Sequence, residues 1–416
     1  MNKFKLYTLL IGMAAAVGLS ISESGWAQYT YGVSPAPHTR NAVTPAIDID
    51  EAEVGFYPSI SIVATRHKNS QRINGIENSD TVISVVPNFG FFGRVGGEVG
   101  RHPFYVLYQP TFDGYKNFTN NDSISHSLQA GWLLDFTERF DVDLRGNYNT
   151  GVEERGASGT PAIQSIEPND VTTWGLGAQA TYGLGDSMFS LGGGAYHSET
   201  RYDNNGQKFR DRDEDTLNGT LNYNIGPRTR TYLVVRNGDI DYVTNASKSD
   251  STQISYSVGV NWRATDITNV SAEIGRLDKK YDDPAVADYS DTTYRAAVGW
   301  SGLPRTNVIF NASRLIEESP EIISNYFVSS LYGVSASYAF TNRFRISGHA
   351  NKINDDFDDG REDDIEDYSI GVNYNWLRWL SIFARYGVTS RDSNLPEAIW
   401  DDEYISIGVT ASAGSN

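Results

Sequence analysis

The stretch from Thr341 to Trp379 limits the possible folds more than any other. It opens on a tight polar turn, Thr341-Asn342-Arg343. Phe344, Ile346, Gly348 and Ala350 then alternate with Arg345, Ser347, His349 and Asn351. An acid-dense segment follows over 355–367. A second alternating run places Tyr368, Ile370, Val372, Tyr374 and Trp376 on one face and Ser369, Gly371, Asn373 and Asn375 on the other. A period of two puts neighbouring side chains on opposite faces of a β-strand. Here one face is apolar and ends in aromatics, while the other is small, polar or charged. Such a hairpin suits a sheet whose apolar face meets lipid and whose polar face lines a closed, wet interior. Backbone edges cannot be left in lipid, so the sheet must close on itself.

The same unit recurs along the chain. Alternating segments run from 54–67 to 402–412, eighteen in all. Their connections alternate in character. Short turns such as Thr137-Glu138-Arg139, Thr265-Asp266-Ile267-Thr268 and Thr341-Asn342-Arg343 take turns with long polar loops such as 153–170, 203–214 and 355–367. Gly90 to His102 reads as one longer, glycine-rich exception on the short side. The pattern predicts an all-β, transmembrane antiparallel β-barrel of about 18 strands, with short periplasmic turns and long extracellular loops. Two aromatic girdles are expected. Trp132, Tyr182, Tyr223, Trp262, Trp300, Tyr338, Phe340 and Trp376 form the lower one, and Tyr148, Tyr242, Tyr281, Tyr289 and Tyr368 the upper. Eighteen strands spaced about 4.8 Å and tilted about 40° enclose a backbone cylinder about 35 Å wide.

The N-terminus has a different composition. Lys3 and Lys5 precede an apolar run from Leu6 to Val17, and Gly25-Trp26-Ala27 fits a small-x-small cleavage site. Residues 1–27 therefore read as a signal peptide. Residues 28–52, with three prolines, read as a flexible periplasmic leader, and 53–416 as the outer-membrane barrel. The 416 residues include no cysteine, so neither disulfides nor thiolate chemistry is available. A net charge of −18 disfavours nucleic acid as a partner.

No catalytic constellation stands out. The six histidines are scattered, and His349 with Ser347 falls on the inward parity as lumen lining. There is no phosphate-cradling glycine loop and no His-x-x-x-His pair, and no cofactor is expected. In the acid segment, Asp355, Asp359, Gly360 and Glu366 take the first, fifth, sixth and twelfth positions of a calcium-loop pattern. Phe357 occupies the third, where an oxygen ligand is required, so the segment reads as a solvated acidic loop. The lumen is more informative. Asp141, Asp143, Arg145, Arg263, Arg295, Arg345, His349 and Arg385 fall on the inward parity as candidate solute contacts. Arg236, Arg276 and Arg314 cannot be assigned a face. The inward arginines either form an anion-favouring ring or pair with internal acids.

Residues 107–156 carry a softer pattern. A strand ending in Tyr115 is followed by an Asp/Asn loop, Ser-His-Ser-Leu, a Thr-x-Arg turn and an Asn-Tyr strand; later units repeat the turn at Arg228-Thr229, Arg305-Thr306 and Asn342-Arg343. The chain resembles the β-barrel porin family found among exopolysaccharide synthesis genes. The resemblance implies an outer-membrane conduit, not an enzyme, that passes a secreted and anionic polysaccharide beside a periplasmic polysaccharide-export or copolymerase protein. Two other functions are consistent with the same sequence. One is a general or substrate-specific porin for small solutes, favoured if a loop folds into the lumen, with 153–170 the best candidate. The other is a structural or adhesive surface barrel binding cations or lipopolysaccharide.

Overall fold

The computed structural model describes residues 54–75, 78–96, 102–163, 165–183, 187–244 and 248–413. The expected signal peptide and leader lie outside them. The first six strands are β1 (Gly55–His67), β2 (Asp80–Val95), β3 (His102–Tyr115), β4 (Ser123–Thr137), β5 (Phe140–Val152) and β6 (Asp170–Tyr182). They continue through β7 (Phe189–Tyr202), β8 (Arg212–Gly226), β9 (Thr229–Tyr242), β10 (Ser251–Thr265), β11 (Thr268–Tyr281) and β12 (Tyr289–Trp300). The last six are β13 (Thr306–Glu318), β14 (Tyr326–Ala339), β15 (Phe344–Phe357), β16 (Glu362–Leu377), β17 (Leu380–Ser393) and β18 (Trp400–Ser412). Each strand pairs antiparallel with the next. β1 pairs with β18 from Ser59–Ser412 to His67–Tyr404, which closes an 18-stranded barrel.

Side-chain alternation fixes the two faces. On β18, Ile405, Ile407 and Val409 are exposed on the outer wall while Ser406, Gly408 and Thr410 are buried inside. The tight turns follow from their threonines. Thr341 Oγ1 accepts the N–H groups of Arg343 (3.1 Å) and Phe344 (3.0 Å), and Thr137 and Thr265 accept in the same way from Arg139 and Ile267. A short hydroxyl side chain thus satisfies the backbone donors that a reversal leaves unpaired.

Three expectations are corrected. β2 runs on to Val95, so most of the supposed glycine-rich connection is strand. The acid segment 355–367 is also mostly strand, with only 358–361 outside β15 and β16. There Asp355, Phe357, Asp363 and Ile365 are buried inside, while Asp356 and Glu362 are exposed outside. The strands rise above the apolar band, where an outward residue meets water and can be charged. The third correction concerns the upper girdle. Tyr148 and Tyr368 are exposed on the outer wall, but Tyr242 and Tyr281 point inward, 5% and 8% exposed. Tyr289, opposite the buried Lys279, shares their parity. Exposed Tyr256, Tyr332 and Tyr386 take those places in the belt. The lower girdle includes exposed Trp132, Tyr182, Trp262, Tyr338 and Trp376.

Candidate functional site

The loop after β5, described over 153–163 and 165–169, lies at the mouth. Its neck is closed by Glu153. The Glu153 N–H donates to the Asn169 carbonyl (2.8 Å), the Asn169 amide donates to the Glu153 carboxylate (2.7 Å), and Arg210 pairs with that carboxylate at 2.8 Å. Arg155 braces the loop from within, donating to the Ser165 and Ile166 carbonyls at 2.6 Å each. Burial, with Arg72 nearby, lowers the affinity of its guanidinium for the proton.

The tip of the loop reaches β15 and β17, eight and six places from β5 round an eighteen-strand ring, so it crosses the lumen. Ser158 Oγ donates to Asp355 (2.7 Å), and Arg391 donates to the Ala157 carbonyl (2.7 Å) and Thr160 Oγ1 (2.8 Å). Arg361 donates to the Thr160 carbonyl (3.2 Å) and pairs with Asp363 and Glu321. Gly156 sits at φ +69° against the Trp400 ring, where a β-carbon would collide. Arg361, Arg391, Asp355 and Thr160 are almost wholly buried. Charged groups are buried at such cost only when they are paired and hydrogen-bonded, so this latch is a built contact.

A second element narrows the mouth from another side. β12 pairs with β13 only from Tyr294–Arg314 to Trp300–Val308. Above that seam, outward-parity residues of β13 and β14 meet lumen-parity residues of β11 and β12. Glu318 pairs with Lys279, Arg314 with Asp291 at 2.6 Å, and the Tyr326 and Tyr289 rings lie 4.1 Å apart. The top of the β13–β14 hairpin therefore lies on the lumen side of its neighbours. Its loop meets the latch where the Ala162 N–H donates to Glu321 (2.7 Å).

The predicted lumen residues divide into two groups. Arg145 is neutralised by Asp143, with bonds of 2.9 and 2.5 Å, and Asp141 lies on the same face. Arg263, Arg295, Arg345 and Arg385 form no ion pair among the described residues. His349 does not pair with Ser347. Its Nε2 lies 2.8 Å from Asp367 and its Nδ1 lies 3.0 Å from Ser369 Oγ. Ser369 stands directly opposite His349 in the register, so cross-strand neighbourhood accounts for the array. Arg236 points inward onto Glu273, and Arg276 points outward beside Asp278. The calcium-loop residues do not converge. Asp355 is inside, Glu366 is on the outer face bonded by Tyr368, and Asp359 accepts the Arg361 N–H. Among the described residues no group of three histidines or carboxylates could hold a metal ion.

Sequence reasoning missed Arg361, Arg391 and four tyrosine–glycine contacts. Tyr105 lies over Gly131, Tyr196 over Gly177, Tyr232 over Gly259 and Tyr404 over Gly387, each ring against the neighbouring strand. Matching inward parities of a tyrosine and a glycine on adjacent strands would have been the signal.

A closed antiparallel barrel with an apolar outer wall, aromatic girdles and a polar, loop-narrowed interior defines an outer-membrane porin. The chain belongs to the family described as putative beta-barrel porin 2, which it matches over residues 55–413. Solved structures are similar to the chain at low identity. OccK8 (OprE) of Pseudomonas aeruginosa is 10% identical, with 87% of this chain and 98% of that chain covered and a TM-score of 0.46. OccAB3 of Acinetobacter baumannii is 12% identical, over 86% and 99%, at 0.47. OpdK of Pseudomonas aeruginosa, solved with vanillate, is 9% identical, over 86% and 99%, at 0.48. No curated protein sequence matches the chain.

Proposed function

We propose that the protein is a passive, mouth-constricted porin for small hydrophilic solutes. The carrying observation is the loop 153–169, latched across the lumen to Asp355, Arg361 and Arg391. A polymer in continuous export would have to displace this buried, charge-paired contact for as long as it moved. A small solute need only pass beside it. Inward arginines, asparagines and serines offer the weak, exchangeable hydrogen bonds that selective diffusion needs. Polysaccharide export, with its periplasmic partner, is the reading this latch disfavours.

The test is a protein whose residues 155–166 are replaced by a short Gly-Ser linker, reconstituted in planar bilayers beside the wild type. Single-channel conductance is expected to rise several-fold, and larger solutes to enter proteoliposomes. Equal conductance would overturn the proposal. In cells, deletion of the gene is expected to lower small-solute uptake and leave secreted polysaccharide unchanged; the reverse result would restore the export reading.

A further inference from the structure

We propose that the inner wall of β3–β7 is a saccharide-binding station. Tyr105 and Tyr196 stack the faces of neighbouring pyranose rings, and the Asp143–Arg145 pair with Asn147 takes the sugar hydroxyls between them. The inference rests on the porin reading and deepens it by naming a class of solute.

The station is one row of the sheet. Tyr105 stands opposite Gly131, Gly131 opposite Arg145, Arg145 opposite Gly177, and Gly177 opposite Tyr196. All five share the lumen parity. From the two ends of the row, each tyrosine leans towards Arg145 and lies down on a glycine. A β-carbon on Gly131 or Gly177 would collide with the ring, so only a bare backbone leaves room for it. The rings are also held at their edges. Tyr105 packs on Phe92, with centroids 6.4 Å apart, and Tyr196 Oη donates to Asn147 Oδ1 at 3.0 Å. Both remain partly exposed.

This arrangement matches the chemistry of a sugar. A pyranose has an apolar C–H face and a hydroxylated edge. A tyrosine pinned flat offers its face as a rigid contact surface and loses little entropy on binding. The two rings lie over β4 and β6, about 10 Å apart at the usual strand spacing, the reach of two linked sugar rings. Between them Arg145 forks Asp143, which fixes donors and acceptors in place while cancelling the net charge. A neutral pair of this kind suits hydroxyls better than a free carboxylate, which an unpaired arginine would take. A few fixed polar groups set between apolar surfaces are how binding sites orient a ligand. The row lies near mid-height of β5, on the periplasmic side of the latch.

Single channels in planar bilayers test this with maltotetraose, cellotetraose and mannotetraose as probes. At least one is expected to block the ion current in a concentration-dependent way. Tyr105→Ala and Tyr196→Ala should each weaken the block about tenfold, and Tyr→Phe at either position should keep it. Heat-shifted migration on gels reports whether each variant is folded. Should an alanine variant not fold, Tyr→Leu keeps bulk over the glycine without a flat face and should show the same loss. A conducting channel that none of the three sugars blocks overturns the station. So does a block that the alanine variants leave unchanged. A folded protein with no conductance overturns the porin reading itself, and the station falls with it.

Discussion

Lys248 shows at a single residue how tightly the upper barrel is packed. It sits between β9 and β10, almost wholly buried, and donates to the Ser319 (3.0 Å) and Ser324 carbonyls of the β13–β14 loop. Burial pushes its ammonium down from 10.5 to about 8. Unfolding restores the ordinary value, so between pH 8 and 10.5 the unfolded chain holds the extra proton. Stability therefore rises with pH across that window, by on the order of 2–3 kcal/mol. Below pH 8 both states are protonated and the full penalty applies. Urea midpoints of the detergent-solubilised barrel at pH 7.5, 9 and 10.5 check this, and Lys248→Met should flatten the trend. Nothing in the sequence around Lys248 announces it, because its partners lie more than seventy residues away. The same holds for Arg361, in the turn between β15 and β16, and for Arg391, which period-two alternation marks only as inward. Parity was legible at Arg145, Arg345 and Arg385 because their strands alternate cleanly. Tyr242 was misread because a terminal aromatic was assumed to face lipid, although its strand's outward residues, Leu233 and Val235, have the opposite parity.

At the level of elements, the eighteen strands were readable because each apolar stripe must face the bilayer. The bend of the β13–β14 hairpin was not, since above the bilayer nothing forces a strand to keep its neighbour. That bend depends on Lys279–Glu318, with Tyr242 Oη donating to the same carboxylate at 2.7 Å. Lys279→Ala leaves Glu318 buried without its cation and is expected to cost about 3–5 kcal/mol. It should also free the hairpin and raise conductance. Lys279→Met combined with Glu318→Leu should recover most of the stability, because a matched apolar pair carries no desolvation penalty. Urea unfolding of Lys279→Met, Glu318→Leu and the double variant, completed as a cycle, measures the coupling. Additive effects would place the hairpin's anchor elsewhere.

Across the whole molecule, charge is sorted by side. The net charge is −18, and exposed carboxylates such as Asp356, Glu362, Asp392, Asp401 and Glu403 stand on the outer face above the tyrosine belt. Inside, Arg263, Arg295, Arg345 and Arg385 lack ion partners among the described residues, whereas Arg145 and Arg236 are paired. The lumen is therefore expected to prefer anions despite the acidic chain. A reversal potential in a KCl gradient should show that preference, and Arg345→Gln with Arg385→Gln should move it towards the cation side. A wild-type channel selective for cations would contradict the assignment.

The wall itself carries a consequence for how the protein is made. β1 and β18 are hydrogen-bond neighbours, and Ser61 meets Thr410 across 349 residues of chain. The first strand cannot complete its pairing until the last has left the ribosome and crossed into the periplasm. Loop-closure cost then makes this joint a slow, late event. Seventeen other seams can form beforehand, yet none of them makes a pore. A chain broken off before Leu380 would therefore give no smaller channel, only an open sheet with two unpaired edges, fit for disposal.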